Sequence, residues 1–199
     1  MVSLITGWIN HFKHKLTILK RRRFIEGLVQ RGLTLGKNVT IMPTAWIDYD
    51  YCYLVSIGDN CSLSKGVKIF AHDATVFKFT DGYTRINKVV IKENCFLGEN
   101  CIILPGVTIG PNVLVAAGSV VNKDIAPNSC VAGNPARFYS KFDDFIASHK
   151  VTITEQPCFE FSTLNAGMTD ELRKKVQDSV QGGDAYVHGY TGRFPWNFN

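Results

Sequence analysis

From Ile91 to Val121 a bulky aliphatic residue returns every six positions: Ile91, Leu97, Ile103, Ile109, Val115 and Val121. An amphipathic helix repeats near 3.6 residues and a half-buried strand near 2, so neither gives this spacing. The fifth position of each sextet is mostly compact: Cys95, Cys101, Val107, Val113, Ser119 and Ile125. Upstream, Ile57, Leu63 and Ile69 hold the same frame, with Cys61 and Val67 fifth. Leu35, Ile41 and Ile47 fit it more loosely, ahead of an irregular stretch through Tyr53. A period of six predicts a short flat strand, a turn and a new direction. Three such edges close a triangular coil, and stacked coils share one core that no single repeat could bury alone. The lead aliphatics and the fifth residues are expected inside. That makes Cys61, Cys95 and Cys101 small packed hydrophobes rather than metal ligands. Cys52, Cys130 and Cys158 fit no common site.

Outside the frame the pattern changes. Residues 3–31 read as a helix or a broken pair of helices, with Ile5, Trp8, Ile9, Phe12, Leu16 and Leu19 on one stripe and Gly32 as the stop. The stretch "DATVFKFTDGYTRINKVV", residues 73–90, breaks the period and is expected to leave the stack as a loop. "VAGNPAR" (Val131–Arg137) carries the breakers Gly133 and Pro135 and ends the coils. Residues 138–150 read as a short helix, and Thr169 as the N-cap of a second one. The chain thus divides into a helical segment (1–32), a coil domain (33–137) and C-terminal helices with a Gly- and aromatic-rich tail (138–199). That tail reads as a flexible end, a clasp on a neighbouring subunit or a sugar-stacking surface, the first being the simplest.

Charge changes this picture at one place only. Residues 1–31 hold seven Lys/Arg and one acid, a net +6; the remaining 168 residues hold 15 basic and 16 acidic groups, a net −1. The basicity belongs to the N-terminus, so nucleic acid is not an expected partner. Two roles fit this segment: a basic amphipathic helix on an anionic membrane surface, or a lid on the open end of the stack with its cations in water. The lid is the simpler reading, and the two are compatible. The N-terminus lacks the apolar run and small-residue cleavage site of a secretory signal, so a cytoplasmic protein with reduced thiols is expected.

"ILPGVTIG" and "AAGSVVNKDIAPNSCVAGNPAR", with the coils before them, resemble the hexapeptide-repeat acetyltransferases, most closely the capsule and O-antigen type and the maltose and galactoside O-acetyltransferases. The resemblance covers roughly residues 33–140. It implies a mainly β fold, a left-handed parallel β-helix with an N-terminal helical segment, an extruded loop and a C-terminal helix and tail. It also implies acetyl-CoA as donor, a sugar or saccharide acceptor, no metal, and a homotrimer with sites between subunits. In that family a histidine stands just before the extruded loop; here it is His72, in "IFAHDAT", as general base. Asp48, Asp73 and Arg85 are candidates around the acceptor, with Asp48, Asp50 and Asp73 also candidates to orient the imidazole. The asparagine that many relatives use to hold the acceptor has no clean match near Trp46–Asp48. For the donor, the resemblance implies Phe96 against the pantetheine arm, Ala117 and Gly118 where the surface must stay low, and Lys123 and Arg137 at phosphates. His11, His14, His149 and His188 lie outside the repeats and read as ordinary histidines.

Three alternatives stand beside this reading. N-acetylation of an amino sugar would use the same geometry. A β-helical metalloenzyme would need several histidine ligands, and only His72 lies within the repeats. A non-catalytic scaffold would have no use for "AHD", "NKD" and "GNPAR" together.

Overall fold

The computed structural model describes the backbone of residues 2–189 and 197–198, and the side chains of residues 16–164 and 167–189. Two compact units result. One holds the described residues up to Phe142 together with 197–198; the other runs from Asp143 to the last described residue before the tail.

The first unit is the three-sided parallel coil that the period of six predicts. Its first face stacks Thr34–Leu35, Val55–Ile57, Val89–Ile91 and Thr108–Ile109. Its second face stacks Val39–Ile41, Ser62–Leu63, Phe96–Leu97, Val113–Val115 and Ser129–Ala132, and its third Trp46–Ile47, Lys68–Ile69, Ile102–Ile103 and Val120–Val121. Every pairing between successive coils is parallel and in register, lead aliphatic over lead aliphatic: Ile57 on Ile91, Leu63 on Leu97, Ile69 on Ile103. Those leads are at most 1% exposed. A fully buried aliphatic of this size contributes about 1.5–3 kcal/mol. The fifth-position residues Cys61, Val67, Cys95, Cys101, Val107, Val113 and Ser119 are buried as well. The thiols of Cys61 and Cys95 donate to the carbonyls of Lys92 (3.0 Å) and Gly110 (3.1 Å), and burial pushes the Cys101 thiol up to about 12. Of the other cysteines, Cys52 and Cys130 are buried and Cys158 is exposed.

The corner between the first and second faces is closed by asparagine. Asn38, Asn60, Asn94, Asn112 and Asn128 all have φ between 55° and 57°, the left-handed region that asparagine tolerates better than most residues. Their amides form a ladder: Asn38 donates to Asn60 (3.2 Å), Asn60 to Asn94 (3.2 Å) and Asn94 to Asn112 (3.1 Å). The next corner uses Gly66, Asn100 and Gly118 in the same region. The sextet's fourth position is therefore a conformational requirement.

Helix α1 (Val2–Gln30) precedes the coils, and Gly32 ends it. The Gly32 N–H reaches Val29 O (2.9 Å) and the Leu33 N–H reaches Leu28 O (3.0 Å), with Gly32 at φ +106°: a Schellman stop. The side of α1 that packs on the first coil is Ile25 and Leu28, which are 1% and 0% exposed. Arg21 donates from Nη2 to Ala45 O (2.5 Å), and burial lowers its guanidinium to about 10. Leu16 and Leu19 are exposed, while Ile5, Trp8, Ile9 and Phe12 lie outside the described side chains.

The short helix expected from residue 138 begins later. Arg137–Lys141 turns back after Gly133–Pro135 as an antiparallel strand on Ser129–Ala132, and helix α2 is Phe142–Glu155. The last coil leaves its second-face strand without a parallel neighbour, and this return strand covers it. At the opposite edge of the same face Asn197–Phe198 pairs antiparallel with Val39–Ile41; residues 190–196 of the tail lie outside the described residues. In the second unit, helix α3 (Phe161–Ala166) and helix α4 (Asp170–Ser179) follow, beside a parallel strand pair, Cys158–Glu160 with Tyr186–His188. Thr169 caps α4 as expected, accepting from the Leu172 N–H at 3.1 Å.

Candidate active site

The third corner, between the third and first faces, is where the coil is interrupted. After Ile47 the chain inserts a short 3-10 turn, Cys52–Leu54, and after Ile69 it inserts the extruded loop. Because Trp46 pairs with Lys68 and Ile47 with Ile69, both insertions leave from the same corner on successive coils. The residues just past the two strands therefore meet, although 24 positions separate them.

Those residues are Asp48 and His72. The Asp48 N–H continues the third-face ladder to Ile69 O (3.0 Å). Its carboxylate is 1% exposed and fully engaged. Oδ2 accepts from the Ala71 N–H (2.9 Å) and meets His72 Nδ1 at 2.5 Å, while Oδ1 accepts from the Tyr51 N–H at 3.4 Å. An ionised carboxylate only accepts, so His72 carries its proton on Nδ1 and presents Nε2 as the basic nitrogen. The imidazole side chain is 29% exposed. The Tyr51 ring packs against it with centroids 5.1 Å apart.

His72 lines a cleft of about 350 Å³ with Phe70, Asp73, Ala74, Thr75, Leu104 and Pro105. Phe70 in turn packs on Trp46, centroids 4.8 Å apart. The loop is a hairpin. His72–Asp73 pairs antiparallel with Arg85–Ile86, so Asp73 stands opposite Arg85. The Asp73 carboxylate accepts from the Thr75 N–H (2.9 Å) and from the Thr75 hydroxyl, and these bonds hold its pKa below the ordinary carboxylate value. Arg85 is exposed and reaches Pro105 O from Nη2 (3.2 Å) at the rim of the cleft.

The acceptor-side candidates thus converge on one corner, with one correction. Asp48 sits beneath the imidazole with both oxygens occupied, so it offers no face to an acceptor. The donor-side candidates do not converge. Lys123 follows Val121 at the same corner as His72, two coils on. Ala117 and Gly118 form the corner between the second and third faces, Phe96 projects from the second face, and Arg137 opens the return strand opposite Ala132. Phe96 is 44% exposed. The Gly118 N–H is spent on Glu99 O (2.7 Å) and is not available to a ligand. Gly98 lets the coils stack closely: a Cβ there would come within 2.5 Å of the Ala117 nitrogen on the next coil. Tyr51 was legible only as part of an irregular stretch. Its signal is that the break after Ile47 occupies the same place in the three-sided count as the break after Ile69.

Among proteins of known sequence, residues 88–123 match the model of bacterial transferase hexapeptides (six repeats). The chain is 48% identical over 126 residues to Protein CapG of Staphylococcus aureus, covering 61% of this chain and 73% of that protein. It is 30% identical over 155 residues to the galactoside O-acetyltransferase of Escherichia coli, covering 68% and 74%. A solved galactoside acetyltransferase in complex with coenzyme A is similar at a TM-score of 0.47 and 22% identity, over 66% of this chain and 84% of that one. With a buried triangular core and this extent of identity, the chain belongs to the hexapeptide-repeat acetyltransferases, the left-handed parallel β-helix family, and is an acyltransferase.

Proposed function

We propose that the protein transfers an acetyl group from acetyl-CoA to a hydroxyl of a sugar or polysaccharide precursor, directly, with His72 as general base. The observation that carries this reading is the buried Asp48 carboxylate on His72 Nδ1, which leaves Nε2 to the cleft. A hydroxyl is a poor nucleophile until its proton is removed, and an oriented imidazole does this near neutral pH. Nε2 takes the acceptor proton as the oxygen bonds to the thioester carbonyl carbon. The tetrahedral intermediate collapses with cleavage of the C–S bond, and the proton on Nε2 passes to the departing thiolate. Asp48 keeps the tautomer and supports the transient imidazolium. No acyl-enzyme is needed: Cys61, Cys95 and Cys101 are buried thiols facing the core.

Asp73 and Arg85 stand at the mouth of the cleft and would contact the acceptor, with the Phe70 ring, backed by Trp46, as an apolar wall. The galactoside O-acetyltransferase relative supports a saccharide acceptor. For the donor, Phe96 would pack on the pantetheine arm, Ala117 and Gly118 would line its path, and Lys123 and Arg137 would meet the phosphates.

His72 and most of these donor residues occupy different edges of one coil. A shared site, with the His72 corner of one subunit facing the donor edge of the next, reunites them. A homotrimer is the assembly this reading requires, and an active monomer by gel filtration with light scattering would remove it. The direct test of the activity is an acceptor screen against free sugars, nucleotide sugars and polysaccharide fragments, following thiol release from acetyl-CoA. Acceptor-dependent release, with an alkali-labile acetyl ester on the product, supports the proposal. An acetamide product, or no acceptor-dependent release across the screen, contradicts it.

A further inference from the structure

Helix α1 carries apolar residues on two opposite sides. Ile25 and Leu28 are buried, with Ile18 and Arg21 half-buried on the same side. Leu16 and Leu19 are 42% and 55% exposed. From Leu16 to Ile25 is nine residues, two and a half turns of an α-helix, so the two stand half a turn apart. Leu16 and Leu19 are therefore not in register with the side that packs on the chain's own coils.

Lys20 and Arg23 are exposed and fall within the same outer sector as Leu16 and Leu19, at spacings of three, four and seven residues. The first 25 residues contain six Lys/Arg and no Asp or Glu; Glu26 is the first acid, and it pairs with Arg22 at 3.3 Å. An apolar strip flanked by Lys20 and Arg23, with Glu26 beside it already paired to Arg22, matches an anionic lipid surface: aliphatic groups enter the acyl boundary and ammonium and guanidinium groups meet phosphates. The same face of another copy would set Lys20 and Arg23 against their counterparts, with Glu26, already paired to Arg22, as the acid nearest them. No described helix is long and apolar enough to cross a membrane, so the contact is one in which the helix lies flat.

We infer that the outer side of α1, through Leu16, Leu19, Lys20 and Arg23, docks the protein on an anionic phospholipid surface. It does so independently of the acetyl transfer proposed above. The test is co-sedimentation of the full chain with vesicles of phosphatidylcholine and phosphatidylglycerol, against vesicles of phosphatidylcholine alone. The protein is expected to pellet with the anionic vesicles only and to be released by high salt. Leu16→Asp with Leu19→Asp, and separately Lys20→Glu with Arg23→Glu, are expected to lower the bound fraction about tenfold or more. Thermal midpoint and molecular mass by light scattering should stay unchanged in both variants. Absence of pelleting, equal pelleting with neutral vesicles, or full binding by the Leu16/Leu19 variant would overturn the inference. So would a fall in assembly mass in that variant, which would show that other copies cover this face.

Discussion

Two corners of the same triangle behave in opposite ways. The corner between the first and second faces is repeated almost without variation: one left-handed asparagine per coil, with Asn38, Asn60, Asn94 and Asn112 hydrogen-bonded amide to amide. The corner between the third and first faces has two insertions, a buried carboxylate, an imidazole and a cleft. The rigid corner fixes the stacking register, and that register brings residues from separate insertions together at the irregular one. Regular stacking is what allows two breaks, 24 residues apart, to build one site.

The largest test of this division is His72→Ala. Removing the base should lower turnover by about 10²–10⁴ while acetyl-CoA affinity stays near wild type. Turnover near wild type would place the chemistry elsewhere. Next is Asp48→Asn, which keeps the shape and loses the charge that fixes the tautomer. Turnover is expected to fall about 10–100-fold, by analogy with residues that orient a working histidine. Steady-state kinetics should show the loss in kcat with little change in the acceptor KM, whereas a pure KM effect would return Asp48 to acceptor binding.

Smaller again is the donor pair. Lys123→Ala with Arg137→Ala should weaken CoA about tenfold by calorimetry, and dephospho-CoA much less; equal losses would remove the phosphate contacts. The smallest expected effect tests the regular corner. Asn94→Ala forces alanine into φ near 57° and cuts the ladder on both sides. A loss of about 1–2 kcal/mol is expected in urea unfolding, with turnover in the surviving folded enzyme unchanged. Asn94→Gly should lose less, because glycine accepts that conformation. A large drop in turnover for Asn94→Ala would show that the two corners are not separable.

Legibility in the sequence follows the same line. The leads Ile91 to Val121 and the fifth-position cysteines announce the coils, because a buried face imposes its period directly on residue type. The fourth-position Asn and Gly were equally periodic and state a backbone requirement. His72 was found through its motif context. Asp48 was a candidate, but nothing local distinguishes an aspartate that meets an acceptor from one that holds a histidine. Counting sextets in threes narrows the choice, since Ile47 and Ile69 both end third-face strands. In helix α1 the sequence shows an apolar stripe but not what it faces. Leu16 and Ile25 are both helix-compatible hydrophobes, and only packing separates the exposed one from the buried one.

The sequence by itself determined the coil, its three-fold turning and the place where it breaks, because each is written in residue type at fixed spacing. Only the tertiary structure decided which carboxylate meets His72, which side of α1 is exposed, and that one copy leaves most of the proposed donor residues on another edge. Those are relations between distant positions, set by how coils stack, and no local pattern of side chains encodes them.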